Sequence, residues 1–185
     1  VEDFPAGHAF LKPDPLRVRH WQERLASLGH GPSIGICWRS MLINTQCRKF
    51  YSALELWRPL LAKSAFKFIN LQYGNCRDEL EYMRTKFGIH VHNFEDLDLK
   101  NNLDDNAALC AALDLVVSAP TAAAAMAAGT GTETWFLTAG RVWPQLGTNR
   151  YPWYAKTRVL NPERFGDWES VIGQAASEID RHAFA

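Results

Sequence analysis

What this 185-residue chain lacks constrains it first. Twenty Lys and Arg face twenty Asp and Glu, for zero formal charge, so no global field draws the protein to nucleic acid or to an anionic membrane. Any anion must be met locally. No apolar run approaches the roughly 18 to 20 residues that span a bilayer, and the alanine-rich stretch 122–128 is short and set among polar residues. No membrane span is expected. Cysteine is sparse, four residues in all (Cys37, Cys47, Cys76, Cys110) with no C-x-x-C, which fits reduced thiols in a cytoplasmic protein. The opening Val1-Glu2-Asp3-Phe4 has no basic region followed by an apolar one, so no signal peptide is expected, and a chain starting on Val reads as a fragment. Neither a Walker A loop nor a G-x-G-x-x-G turn after a strand is present, since Gly129-Thr-Gly131 precedes a predicted strand.

What is present is a core. With 47% apolar and 12% aromatic residues, a chain of this length can bury about 70% of its unfolded surface, and one compact domain is expected from a norm of roughly 150 residues. The first 13 residues carry two prolines and a glycine without periodicity; Asp14-Pro15 then caps a helix that Gly29 stops. We therefore divide the chain into an N-terminal arm and first helix (1–30) and a main domain (31–185). Within the latter, apolar runs predict strands over 33–38, 66–72, 89–92, 115–118 and 134–137. Helical spacing predicts helices over 52–61, 77–87, 103–113, 121–128 and 168–184, with 139–165 irregular and aromatic. Strands and helices in alternation predict an α/β fold with right-handed crossovers, and ligands bind beyond the carboxyl ends of such strands.

Three strand ends carry polar chemistry. After the first comes Arg39-Ser40-Met-Leu-Ile-Asn44-Thr45-Gln46-Cys-Arg48-Lys49, where guanidinium and ammonium groups suit phosphate oxygens; an ordinary solvated loop is the alternative. After the fourth comes Ser118-Ala119-Pro120-Thr121-Ala122, where small residues leave helix-terminal amides open to a diphosphate, or simply cap a helix packed tightly on the sheet. The second ends in Asn70-Leu-Gln72-Tyr73-Gly74, which can read a base or sugar or merely turn the chain. His90 and His92 share a strand face but lack a third ligand at zinc spacing. Glu95, Asp96, Asp98, Asp104 and Asp105 lack calcium-loop spacing, and Asp104 or Asp105 is assigned as a helix cap. No metal site is expected. The rings of Tyr151, Trp153, Tyr154 and Trp143 either wall a nucleotide or sugar pocket or anchor a loop over the sheet. Cys37, inside a strand, is a poor nucleophile, and no Ser-His-Asp or Cys-His order is legible.

Taken in order, Ile34-Gly-Ile-Cys-Trp-Arg39-Ser40, Ile69-Asn-Leu-Gln-Tyr-Gly74, Leu103-Asp-Asp-Asn-Ala-Ala-Leu109, Leu113-Asp-Leu-Val-Val-Ser118 and Tyr151-Pro-Trp-Tyr154 resemble the carboxyl-terminal lobe of GT-B glycosyltransferases. The nearest likeness is to heptosyltransferase-like domains of the kind fused to tetratricopeptide repeats in bacteria, over about residues 30–182. The resemblance implies a Rossmann-like parallel sheet flanked by helices that binds a nucleoside diphosphate sugar for transfer to an unknown acceptor, protein or glycolipid. It also implies a missing amino-terminal lobe or repeats. By similarity, Arg39, Ser40, Arg48 or Lys49 bring cations and a hydroxyl to the diphosphate; Ser118, Pro120, Thr121 and Ala122 bring helix-terminal amides; Gln72 and Tyr73 lie where donor contacts occur. No cofactor beyond the donor is implied, metal-independent transfer being usual for such enzymes. No catalytic residue is assigned, because the base normally comes from the other lobe. Where heptosyltransferases read Ser-x-Asp-Thr followed by Gly and, further on, His-Leu, this chain has Ser118-Ala119-Pro120-Thr121-Ala122 and Ala125-Met126, without the Asp or the His. The alternatives are a non-catalytic binding or scaffolding module derived from the fold, and a nucleotide-sugar epimerase-like lobe.

Overall fold

The computed structural model describes residues 8–41 and 45–184. Part of the arm (1–7), and Leu42, Ile43 and Asn44 of the loop after the first strand, lie outside the described residues. Five strands, β1 (Ser33–Cys37), β2 (Lys67–Asn70), β3 (Leu115–Ser118), β4 (Thr134–Leu137) and β5 (Thr157–Leu160), form one sheet in the order β2-β1-β3-β4-β5. Every pairing is parallel, with Ile34 between Phe68 and Leu115 in register. All residues of β1, β3 and β4 are buried, which is why these strands read as continuous apolar runs.

Alternate strand positions serve two cores. Ile34, Ile36, Leu115, Val117, Trp135 and Leu137 meet α2 (Arg58–Leu61), α3 (Arg77–Phe87) and α6 (Trp168–Ile179) through Leu60, Met83, Val171 and Ile172. On the opposite face, Cys37, Ile69 and Val116 meet α1 (Pro15–Ser27), α4 (Leu103–Ala112) and α5 (Ala122–Thr130) through Trp21, Leu25, Leu109, Ala123 and Ala127. Gly35 belongs to this face because a Cβ there would stand 2.6 Å from Leu71 Cδ1 and 2.7 Å from Leu113 Cδ1. The helix ends follow local chemistry. Asp14 Oδ1 accepts from the Leu16 amide at 2.9 Å, and Gly88, at φ +66°, closes α3 in the left-handed region.

Four expectations need correction. Residues 89–92 are not a strand: only His92 reaches the sheet, its N–H donating to Phe68 O and its carbonyl accepting from the Asn70 amide, each at 2.8 Å. The stretch leaves the left-handed Gly88 and enters a turn in which the Leu97 amide donates to Phe94 O, so no second residue comes into register. The fifth strand is instead Thr157–Leu160, inside the segment that reads as irregular; it is four residues long and its first two are half-buried, so it carries little apolar pattern. Residues 52–61 begin as a 3-10 turn (Leu54–Trp57), and the α-helical part that follows has Pro59 in its first turn. The last helix stops at Ile179, beyond which Phe184 folds back against Phe66 with ring centres 5.5 Å apart.

Candidate functional site

The chain runs from β1 outward to β2 and returns to β3 on the other side of β1, so the strand order reverses between β1 and β3. In an open parallel sheet this reversal opens a crevice at the carboxyl ends of the two strands. The loops that meet there are held by partly buried hydrogen bonds. The Arg39 amide donates to Gln72 Oε1 at 3.0 Å, tying the end of β1 to the end of β2. The Thr121 hydroxyl donates to Cys37 Sγ at 3.5 Å, tying β1 to the start of α5. The Ser40 and Tyr73 hydroxyls lie 3.4 Å apart.

Of the ten residues singled out from the sequence, Ser40 lies against the Tyr73 hydroxyl and the other nine divide among five settings. Arg39 and Arg48 line a cavity of about 490 Å³ with Thr45, Tyr51, Glu55 and Glu79. Gln72 and Tyr73 line a second, of about 550 Å³, between the end of β2, α3 and the segment 90–100. Ser118 is fully buried and its hydroxyl, with one proton to share, lies 2.9 Å from the Cys37 carbonyl and 2.7 Å from that of its neighbour Ala119, so it fastens β3 to β1. Pro120, Thr121 and Ala122 form the rim above it; Thr121 caps α5, its hydroxyl accepting from the Ala124 amide at 3.4 Å. The amides of Ala122 and Ala123 at that helix start have no intrahelical acceptor. Lys49 stands over the Phe50 ring, 5.2 Å from its centre.

Electrostatics within the first cavity were not legible in sequence. Arg39 lies with only 16% of its side chain exposed and makes a close two-oxygen ion pair with Glu79 of α3. Its Nη2 also donates to Asn75 O at 3.0 Å, and Trp38 Nε1 donates to Glu79 Oε1 at 2.8 Å. The Glu79 contact holds the Arg39 guanidinium above its ordinary pKa, so it is charged throughout. Burial raises the Tyr51 phenol, keeping it a neutral donor at neutral pH. Burial also pushes the Cys37 thiol up to about 11, which removes it as a nucleophile.

Other expectations resolve away from this rim. The cap of α4 is Asn102 rather than Asp104 or Asp105, its Oδ1 accepting from the Asp105 amide while Asp105 pairs with Arg17 at 2.8 Å. Asp96 pairs with Arg24 at 2.7 Å. Tyr151 is buried against Phe136, ring centres 4.4 Å apart, and stacks on Trp153, so the 139–156 loop uses its rings as anchors; Trp143 alone among them stands 80% exposed.

No protein-family profile matches the chain. Among solved structures it superposes on ADP-heptose heptosyltransferase II of E. coli with a TM-score of 0.62 over 92% of its own length and 52% of that chain, at 17% identity. The fold is heptosyltransferase-like. Heptosyltransferase WaaC of E. coli with ADP gives a TM-score of 0.58 over 90% of this chain and 48% of that one, at 17% or less. Protein FlbA of Caulobacter vibrioides is 41% identical over 179 residues, 97% of this chain and 30% of its own length. The chain thus spans under a third of its curated relative and about half of the heptosyltransferases it superposes on.

Proposed function

We propose that this chain is the donor-binding lobe of a glycosyltransferase that holds a nucleoside diphosphate sugar in the crevice above β1 and β3. One observation carries the reading: hydrogen bonds join the ends of β1 and β2 and the start of α5 into one rim, and Arg39, whose amide belongs to that rim, also lines a cavity with the exposed Arg48. Diphosphate oxygens suit those donors. The ADP in the WaaC structure, on the same fold, supports the reading. In this proposal the base and ribose lie toward the cavity at Gln72 and Tyr73.

The chemistry assigned to this lobe is leaving-group stabilisation. The bond from the anomeric carbon to the β-phosphate oxygen breaks, its electron pair stays on that oxygen, and an acceptor hydroxyl bonds to the carbon and yields its proton to a base outside this chain. Charge accumulating on the departing diphosphate is met by Arg39, Arg48 and the positive end of α5. Transfer is proposed to proceed without a metal. The acceptor site and the base belong to a further lobe, or a repeat region, of a longer protein.

Pro120 in place of the Asp of Ser-x-Asp-Thr favours a second reading, a binding module that holds the donor without turning it over. Calorimetric titration with ADP, UDP and GDP tests the first part, and binding of at least one is expected; no binding by any overturns it. Nucleoside diphosphate release by the longer protein, given a panel of donors and acceptors, separates transfer from binding alone.

A further inference from the structure

We propose that Glu79 competes with the donor's phosphate for Arg39, so that binding exchanges a carboxylate partner for a phosphate one. The inference rests on the donor-binding reading above and adds a residue that the reading does not contain. The Nε and Nη2 side of the Arg39 guanidinium, the edge best shaped for a two-oxygen anion, is already filled by the two oxygens of Glu79. Only Nη1 is weakly engaged, at 3.4 Å from Ser40 O.

Glu79 is itself well held. It sits in the first turn of α3 beside Asp78, where the helix dipole favours negative charge, and it accepts from Trp38 Nε1. It nevertheless remains 31% exposed and lines the same cavity as Arg39. Within that cavity Glu79 and Glu55 face Arg39 and Arg48, two carboxylates against two guanidiniums. A diphosphate entering there meets Arg39 with its charge already compensated and a carboxylate alongside. Coulomb repulsion between that carboxylate and the phosphate acts in a partly dehydrated space, where it is stronger than in water. Glu79 thereby lowers affinity for any phosphate ligand and favours release of the nucleoside diphosphate.

The test uses the 185-residue chain with inorganic pyrophosphate and with ADP, UDP and GDP as probes, by calorimetry. Glu79→Gln keeps an acceptor for Trp38 Nε1 and removes the charge; it is expected to bind the probes about tenfold more tightly than the parent, the factor that 1.4 kcal/mol represents. Glu79→Asp, which keeps the charge, is expected to stay near the parent. Circular dichroism of each variant checks that the fold is retained. If the parent binds and Glu79→Gln binds equally or more weakly, the competition is overturned while the donor-binding reading stands, and Glu79 then only positions Arg39. If neither protein binds any probe, both fall.

Discussion

The backbone N–H of Arg39 donates to Oε1 of Gln72 at 3.0 Å, across 33 residues of chain. That single amide also accepts from the Cys37 thiol at 3.5 Å and donates through Nε2 to Tyr73 O at 3.1 Å, all with Gln72 buried. Gln72→Leu keeps the volume and leaves the Arg39 amide without its acceptor. The expected loss is about 1–3 kcal/mol of stability, seen as a lower urea midpoint with unchanged slope.

Arg48 and Lys49 are adjacent in sequence and differ in setting. Arg48 lines the cavity that holds Arg39, whereas Lys49 lies over the Phe50 ring. Arg48→Ala is expected to weaken ADP or pyrophosphate binding about tenfold, and Lys49→Ala by less than about twofold, in parallel titrations at equal salt. Equal losses would place the phosphate elsewhere on the loop.

His92 gives the protein a dependence on pH. Burial, followed by its neighbours His90 and Lys67, lowers its pKa, and the His90 ring lies 4.5 Å from its own. The unfolded chain therefore takes up this proton at higher pH than the folded one. Stability linked to His92 is complete above the ordinary imidazole value of about 6.5 and is lost as pH falls through the lower folded value. Thermal midpoints measured from pH 7.5 down to 5 are expected to fall, and to fall less in His92→Gln.

The thiols are expected to separate by reactivity. Cys37 and Cys110 are fully buried and their pKa values are pushed up to about 11 and about 12. Burial raises the Cys76 thiol as well, whereas Cys47 is half-exposed on the loop after β1. An aromatic disulfide reagent at pH 8 is expected to modify Cys47 quickly, and the fully buried Cys37 and Cys110 only on unfolding. Rapid modification of Cys37 in the native chain would contradict the packing of Thr121 on its sulfur.

Sequence pattern located the elements that are buried on both sides and failed where pairing was marginal. Leu115–Ser118 and Thr134–Leu137 match their expected limits because unbroken apolar runs have only one use in a parallel sheet. Thr157–Leu160 was missed because its first half is only partly buried and an aromatic loop precedes it. At the rim, the cation-bearing loop and the small-residue helix start were visible as residue types. The Arg39–Glu79 pair was not: forty residues separate its members, and Glu79 reads in sequence as the acidic first turn of a helix. Likewise, nothing in the sequence spacing marks Ser118 as a fastener between strands rather than a ligand group.

The sheet's two outer strands are each met by the backbone of one loop residue. His92 takes up the carbonyl of Phe68 and the amide of Asn70 on β2, and Asn149 accepts from the Val159 amide on β5 at 2.7 Å. Unpaired outer strands invite strand addition from neighbouring molecules. These contacts occupy the Phe68 carbonyl and the Asn70 amide on β2 and the Val159 amide on β5, so each edge presents a shortened ladder to an incoming strand.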